Sequence, residues 1–390
     1  MPPRPRRAAV LRALLATSGL ALAACAGADA RPADGGDRAG PGAGTAARGD
    51  SVAIGVALNP QRPGMTSILQ GVELAVAQLN AQRGDRPPFT MRHPPQAMTS
   101  AVQVAALLRD DPQVVGVVGH PESGTTQEAL PLYEDVGNGG RRAVALVTPT
   151  ATSPALSGRS PWLFRICPTD EAASLAVARF VLDSLHARHA AIIYRNDSYG
   201  RDWTRTFVAA YRAGGGAVVQ RDPYLSGATE WAAYAAYMAQ AGAEVLLFPG
   251  SVEDAEEAIR AVRATGHTIP FIGGDAASGL EEHAGEFAGA RYTAFFDARQ
   301  ARTPQARAFV AAFEQRFGHT PDQRAALAYD AAMLIGRAAL DVGADRRRVR
   351  DALAAIDATR PVEGAAGRIA FDENHDAIGK TVVVATVGAR

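Results

Sequence analysis

The stretch "VVGVVGHPESGTTQEA", residues 114–129, changes character at its centre. Its first half is a run of Val and Gly, which is typical of a parallel strand buried on both faces. The run gives way to "SGTT", residues 123–126, which has little side-chain bulk and opens a helical pattern. A buried strand that ends in a hydroxyl-rich loop before a helix indicates an α/β sheet whose strand tip holds a small polar ligand.

The alternation of strand and helix continues on both sides of this stretch. Residues 51–58 and 142–149 are further short apolar runs, and the pattern restarts with runs at 190–195 and 217–224. Helical spacing of apolar residues separates the runs, which predicts βαβ crossovers and two doubly wound parallel sheets. The tail, residues 367–388, is predicted to end in a hairpin-like pair of strands.

Length and composition agree with two lobes and exclude some functions. A chain of 390 residues is too long for one core and predicts two lobes of roughly 100–150 residues each. The 40 basic and 40 acidic residues cancel, so no basic surface for nucleic acid is expected. Of the two cysteines, Cys167 has no neighbouring His or base in the sequence and is predicted to be buried filler.

The first 25 residues have the three parts of an export signal: arginines, an apolar run and a small-residue end. The apolar run is shorter than the roughly 20 residues that a membrane-spanning helix needs. Leu22-Ala23-Ala24-Cys25 resembles the bacterial lipobox, which implies that Cys25 is lipidated and begins the mature protein. A plain secretory signal is the alternative. Residues 26–50, rich in Ala, Gly, Pro and Asp, are predicted to form a disordered tether.

The sequence gives little indication of enzyme activity. His186 and His189 lie three residues apart, but no carboxylate or cysteine set completes a metal site with them. No glycine motif for phosphate follows any predicted strand. We therefore expect a protein that is not an enzyme, with no catalytic residues, no cofactor and no metal.

The hydroxyl loop and its neighbour suggest where a ligand binds. Residues 119–126 end one strand directly before a helix, whose first backbone N–H groups have no intrahelical partner and favour negative charge. The next strand tip offers Thr150, Thr152 and Ser153. Two adjacent hydroxyl-rich tips are suited to hold one small polar group such as a carboxylate. Ordinary turns and helix caps also use Ser and Thr, so the residue types alone leave that alternative open.

Eight motifs in a shared order carry a family resemblance. They are "GVELAVAQLN", "VVGVVGHPESGTTQEALPLYEDVG", "VTPTATSPAL", "FRICPTDE", "NDSYGRD", "GGDAAS", "AYDAAMLIGRA" and "GRIAFDENHD". The chain thereby resembles the bacterial type I periplasmic binding proteins, specifically the leucine/isoleucine/valine-binding family. The resemblance implies two Rossmann-like lobes joined by a three-crossing hinge. The first lobe would comprise residues 51–167 and about 295–370, and the second residues 168–294 and about 371–390.

The resemblance also implies the ligand site. Ser123 and the helix start would bind a ligand carboxylate, Asp275 would accept its ammonium group, and Tyr199 would close over it. Ser251 lies near the place where the family has a tyrosine, so the side-chain pocket is less well defined than the head-group site. The predicted ligand-binding residues are Ser123, Gly124, Thr150, Ala151, Thr152, Tyr199, Ser251 and Asp275.

The function implied by the resemblance is that of the substrate-binding protein of an ABC transporter. It would be extracytoplasmic, in the periplasm or at the cell surface, and held to the membrane only by lipid on Cys25. It would capture an amino acid or a similar small polar ligand between the lobes and deliver it to a permease. The alternative is a receptor subunit that senses an amino acid, amide or urea-type ligand and acts through a separate signalling partner.

Overall fold

The computed structural model describes residues 51–62, 64–227 and 230–388. The predicted signal segment with Cys25 and the predicted tether lie outside the described residues. The described chain forms two mainly parallel sheets, of five and six strands, and a small two-stranded ribbon. The predicted α/β class with two doubly wound lobes is therefore confirmed.

The strands are short and mostly buried, as parallel strands covered on both faces are expected to be. They are β1 (Val52–Ala57), β2 (Phe89–Arg92), β3 (Val114–Gly119), β4 (Ala145–Thr148), β5 (Leu163–Arg165), β6 (His189–Arg195), β7 (Ala217–Tyr224), β8 (Val245–Phe248), β9 (Phe271–Gly273), β10 (Arg291–Ala294), β11 (Val362–Gly364), β12 (Gly367–Ile369) and β13 (Val383–Thr386).

Helices connect most of the strands, and many begin at a Ser, Thr or Asp whose side chain accepts a hydrogen bond from the first turn. They are α1 (Met65–Gln82), α2 (Ala101–Asp110), α3 (Ser123–Tyr133), α4 (Asp170–Arg179), α5 (Ser198–Ala213), α6 (Trp231–Gln240), α7 (Val252–Ala264), α8 (Ala284–Phe287), α9 (Pro304–Phe317), α10 (Gln323–Val342) and α11 (Arg346–Ala354). A 3₁₀ segment, Asp275–His283, follows β9.

The five-stranded lobe is built on the sheet order β2-β1-β3-β4-β5, all parallel. Alternate residues of β1 face opposite sides, so Ile54 joins the core under α1 and α10 while Ala53 joins the core under α2 and α3. A Cβ at Gly71 on α1 would overlap the Ala325 carbonyl oxygen of α10. This close crossing of α1 and α10 places the start of α10 at the carboxyl edge of the sheet.

The six-stranded lobe is built on the sheet order β13-β10-β9-β8-β6-β7. Its strands are parallel except β13, which is antiparallel to β10. Helices α6 and α7 cover one face, and α4 and α5 cover the other. The chain passes between the lobes three times: after β5, after β10 and before β13.

The predicted hairpin at the tail is wrong. Strand β12 pairs with β11, which precedes it, and β13 crosses to the other lobe and pairs with β10. The physical reason is that β13 has to pair with the edge of a sheet where its apolar side chains can be buried. The edge strand β10 supplies that partner, with Tyr292 opposite Ala385, and both residues are buried in the same core.

Candidate functional site

The carboxyl ends of both sheets meet at one cavity of about 270 Å³. That is close to the lower end of the range of roughly 300–1,000 Å³ that is usual for small-molecule sites, so it suits a small ligand. Six of the eight predicted ligand-binding residues line this cavity. They are Ser123, Gly124, Thr150, Tyr199, Ser251 and Asp275.

The remaining two predicted residues, Ala151 and Thr152, do not line the cavity. Both are fully buried behind it. The Ala151 N–H donates to the Thr148 hydroxyl at 3.2 Å, and the Thr152 carbonyl oxygen accepts from the Asp170 N–H at 2.9 Å. Their backbone groups therefore join the strand tip to the first crossing between the lobes.

The start of helix α3, on the five-stranded side, has the features that suit an anion. The helix begins at Ser123, and its N-cap residue, Glu122, makes no side-chain capping bond. The N–H groups of the first turn therefore lack both an intrahelical partner and a side-chain cap. A Cβ at Gly124 would meet no atom within 4 Å, so the space beside this residue is open to the cavity. The dipole end of the helix favours a negative group there.

Hydrogen bonds hold the two hydroxyl-rich loops of this side together. Thr150 Oγ1 donates to the Pro121 carbonyl oxygen at 2.8 Å, and Thr148 Oγ1 donates to the His120 carbonyl oxygen at 2.7 Å. Ser123 Oγ accepts from the Ser153 N–H at 3.1 Å, which leaves its own proton to donate to a ligand. We call the cavity-lining residues of this lobe the five-stranded wall.

The opposite side, here called the six-stranded wall, comes from the loops after β6, β8 and β9. Tyr199 is the second residue of α5, and Asp197 caps that helix by accepting from the Gly200 N–H at 2.9 Å. A Cβ at Gly274 would overlap the Tyr199 hydroxyl, so the glycine lets the tyrosine approach Asp275. Neither Tyr199 Oη nor Asp275 Oδ1 has a hydrogen-bond partner among the described residues.

Burial governs the ionisation of the acidic groups beside the cavity. It raises the pKa of Asp275 to about 6, although the nearby Tyr199 hydroxyl and the charge of Arg324 oppose the shift. Burial also raises the pKa of Asp170 well above its usual value, and the neighbouring charge of Asp275 adds to that effect. A cation placed against Asp275 would favour its ionised form.

The two lobes touch each other directly. Ser198 Oγ on α5 donates to Gln127 Oε1 on α3 at 3.2 Å, and Ser153 Oγ donates to the Asp202 carboxylate. Gln323 Nε2, at the start of α10, donates to the Asp275 carbonyl oxygen at 3.0 Å. These bonds join the lobes around the cavity.

Arg165 ties the ligand loop to the third crossing between the lobes. Its guanidinium donates to the Ser153 carbonyl oxygen at 2.7 Å and to Asp376 Oδ1 at 2.9 Å, and its side chain is almost completely buried. Cys167 is buried nearby, as predicted, and burial raises the pKa of its thiol. Buried residues at the first and third crossings between the lobes therefore pack as part of the core.

The predicted residue Ser251 lines the cavity, but its hydroxyl donates to Asp254 Oδ2 at 2.8 Å and caps α7. Sequence reasoning missed other residues of the cavity. Arg62, paired with Glu122, and Arg324 at the start of α10 also line it. Only the close approach of α1 and α10 to the sheet edge brings these arginines there, and no local motif signals that approach.

A cleft between two α/β lobes, lined by residues from both, is the architecture of the class of two-lobed proteins that bind a small molecule. A family model described as "Periplasmic binding protein" matches residues 59–390. The chain belongs to that family, which consists of binding proteins and not enzymes. The resemblance seen in the sequence is confirmed.

Individual relatives are distant. The chain is 27% identical over 265 residues to the Leu/Ile/Val-binding protein homolog 3 of Brucella melitensis. The match covers 67% of this chain and 69% of that protein. It is 28% identical over 176 residues to an amino acid binding protein of Pseudomonas aeruginosa, and that match covers 45% of this chain and 46% of that protein. The chain thus spans about half the length of that second relative.

Solved structures share the fold. A branched-chain amino acid transporter substrate-binding protein from Streptococcus pneumoniae, in complex with isoleucine, superposes with a TM-score of 0.77 at 24% identity. The match covers 86% of this chain and 96% of that one. Within the part of the chain that the structure describes, no helix combines the length and the apolar character needed to cross a bilayer.

Proposed function

We propose that this protein is the substrate-binding protein of an ABC transporter and that it captures an α-amino acid in the cleft. The observation that carries the proposal is the pairing of two complementary groups across one cavity. The open N–H groups of α3 with Ser123 line it on one side, and Asp275, whose Oδ1 has no hydrogen-bond partner among the described residues, lines it on the other. A carboxylate suits the first and an ammonium group suits the second.

The geometry also supports a mechanism of capture. Ligand that contacts both walls binds the closed form better than the open form and shifts the population toward closure. A hydrogen bond to a charged group contributes about 1.5–3 kcal/mol. Three or four of these, less the cost of closure, reach the micromolar range of about −8 kcal/mol. The closed form then docks on a membrane permease and releases the ligand there.

The lobe boundaries belong to this proposal. We assign residues 51–167 and about 295–370 to the first moving body, and residues 168–294 and about 371–390 to the second. The hinge segments lie near residues 167–170, 290–300 and 365–380. The two separate sets of core residues, which follow the two sheets, support this division.

A thermal-unfolding screen with L-α-amino acids tests the function, and calorimetry of the best ligand follows. Two analogues of that ligand serve as matched controls, one without the carboxylate and one without the amine. We expect both to lose at least tenfold in affinity, because each leaves one wall without its partner. A screen in which no α-amino acid raises the melting temperature contradicts the proposal.

We further propose that the protein is extracytoplasmic and anchored by lipid on Cys25. The order of basic, apolar and small residues before Leu22-Ala23-Ala24-Cys25 supports it. Expression of wild-type protein and of Cys25→Ser in a bacterium with a lipoprotein pathway, followed by mass spectrometry of the N-terminal peptide, tests it. We expect a lipid-modified Cys25 in the wild type. An unmodified peptide that begins elsewhere contradicts the anchor and leaves the ligand site untouched.

A further inference from the structure

Three arginines line the cleft, and they differ in their partners. Arg62 forms an ion pair with Glu122, and Arg195 Nε lies 2.8 Å from Asp197 Oδ2. Both of these cations are neutralised by a neighbouring carboxylate. Arg324 lines the same cavity and forms no ion pair with any residue that the structure describes, although its charge acts on the nearby Asp275 and opposes the rise in the pKa of that carboxyl group.

The position of the Arg324 side chain is well defined. Arg324 is the second residue of α10, which the close crossing at Gly71 fixes against α1. Its Nη2 donates to the Ala276 carbonyl oxygen across the cleft at 3.1 Å. Its Nη1 lies so close to Gly64 that a Cβ added at that glycine would overlap it. The side chain is partly buried, and this is the one hydrogen bond that it makes to described residues.

An α-amino acid leaves Arg324 without a role in binding its head group. The carboxylate occupies the start of α3 beside Ser123, and the ammonium group lies against Asp275. Arg324 is then a third recognition element, of positive charge, at the same cavity. An apolar ligand side chain would displace water from this guanidinium and give it no acceptor in return, which costs free energy.

Five carboxylates line the cleft. Glu122 and Asp197 are paired with arginines and Asp275 is assigned to the ammonium group, which leaves Glu128 and Glu253 to act against an anionic ligand. Both side chains are exposed, whereas Arg324 is partly buried. Exposed charges are screened strongly by water and salt, so a partly buried guanidinium has the larger influence on a bound group. A guanidinium also binds a carboxylate through two parallel hydrogen bonds, which adds geometric specificity.

We propose that the ligand is a dicarboxylic α-amino acid, of the aspartate or glutamate class, and that Arg324 is the specificity-determining residue that binds its side-chain carboxylate. This inference rests on the proposed function, because it places the head group at Ser123 and Asp275. It adds the chemical class of the side chain, which the fold of the family leaves open.

Calorimetry with L-glutamate, L-aspartate, L-glutamine and L-leucine tests the inference on the wild type and on Arg324→Gln. We expect a dicarboxylic acid to bind the wild type at least tenfold more tightly than leucine. We expect Arg324→Gln to lower the affinity for that acid by tenfold or more, because one charge-assisted contact is lost. The affinity for leucine is expected to fall by less than threefold. Arg324→Lys keeps the charge without the two-pronged geometry and is expected to recover part of the loss.

Arg337→Gln is the matched control, since it removes the same charge from an exposed position of the same helix. It is expected to leave all four affinities within twofold of the wild type. Thermal unfolding of each variant without ligand shows that the fold is retained.

The outcomes separate this inference from the proposed function. If leucine or another apolar amino acid binds best and Arg324→Gln leaves it unchanged, the dicarboxylic class is wrong and the amino-acid site stands. If Arg324→Gln weakens every ligand by the same factor, Arg324 only joins the lobes through Ala276, and its role in specificity is overturned. If no α-amino acid binds the wild type, the proposed function itself fails.

Discussion

The two walls of the cleft differ in how their buried polar groups are satisfied. On the five-stranded wall, the hydroxyls of Thr125 and Thr150 donate to backbone carbonyl oxygens, and Ser123 Oγ accepts from a backbone N–H. On the six-stranded wall, Tyr199 Oη and Asp275 Oδ1 are buried without a partner among the described residues. The side-chain hydroxyls of the five-stranded wall are therefore bonded within the protein, and its open groups are the backbone N–H groups of α3. On the six-stranded wall, buried side-chain groups lack partners that a ligand can supply.

This difference indicates which wall drives closure. A buried polar group without a partner costs about 1–3 kcal/mol, and more when it is charged. In an open cleft, water would solvate Tyr199 and Asp275. In a closed cleft without ligand, these two groups have, among the described side chains, only each other in place of that water. Ligand removes the cost by bonding to both groups. We therefore expect the five-stranded wall to bind first and the six-stranded wall to close only over a bound ligand.

The most severe test of the comparison is Asp275→Asn. It removes the charge from the six-stranded wall with almost no change in shape, so the ligand ammonium loses its counter-ion. We expect the affinity for the best amino acid to fall by about 10- to 100-fold, corresponding to the loss of one charged hydrogen bond. Calorimetry at pH 7.5 measures it. The control is Asp341→Asn, an exposed carboxylate on α10, and an equal loss in both variants contradicts the assignment.

Acid should weaken binding through the same residue. In the free protein burial raises the pKa of Asp275 to about 6, and bound ammonium favours the ionised carboxylate. Above pH 6 the carboxylate is ready to bind; below it, binding must displace a proton, and affinity falls by up to about tenfold per pH unit. We expect roughly a tenfold loss between pH 7 and pH 5 by calorimetry.

Other ionisable groups lie close to Asp275, so the pH experiment also needs a variant that lacks the Asp275 carboxylate. Asp170, Tyr199 and Arg324 all interact with Asp275 electrostatically, and the pKa of Asp170 is raised as well. Asp275→Asn should make the affinity nearly independent of pH over this range. A pH profile that keeps its slope in the variant assigns the titration to another group and removes the support for Asp275.

Ser123→Ala tests the five-stranded wall. The hydroxyl is one donor beside several backbone N–H groups, so its loss leaves most of the anion site intact. We expect a three- to tenfold loss of affinity, smaller than that of Asp275→Asn, corresponding to about one hydrogen bond. Calorimetry with the same amino acid measures it. A loss above 100-fold would show that the backbone N–H groups contribute little, contrary to the comparison.

Thr150→Val is expected to have the smallest effect on binding. Its hydroxyl proton is already donated to the Pro121 carbonyl oxygen at 2.8 Å. We expect affinity to change by less than threefold, and the free energy of unfolding to fall by about 1 kcal/mol because one loop-to-loop bond is lost. Calorimetry and denaturant titration separate the two effects. Reduced affinity with unchanged stability would mean that the hydroxyl serves the ligand and not the loop.

Much of the fold follows from local patterns. The predicted strands at 190–195 and 217–224 become β6 and β7 almost residue for residue. For β6 the reason is burial, because a parallel strand covered on both faces is mainly apolar, whereas β7 is an edge strand that includes Gln220, Arg221 and Asp222. The error at β13 has the opposite cause. Its run of valines fits any edge with a matching core, and its partner β10 is remote in sequence, so local pattern carries no information about the pairing.

The candidate site was also predictable only in part. The loop at Ser123 and Gly124 was predictable from chemistry, because small hydroxyl residues precede a helix at a strand tip. Asp275 and Tyr199 followed only from the family resemblance. Arg324 had no signal, since its place at the cleft depends on how α10 crosses α1. Thr152 shared the residue type of a ligand group, yet it lies behind the cavity.

The most direct test of the central claim is a crystal structure of the protein grown with its tightest-binding amino acid. The account predicts the ligand in the cleft, with its carboxylate at the first turn of α3 beside Ser123 and its ammonium group within hydrogen-bonding distance of Asp275. A ligand bound elsewhere on the molecule, or one in the cleft with its head group turned away from both residues, would contradict it.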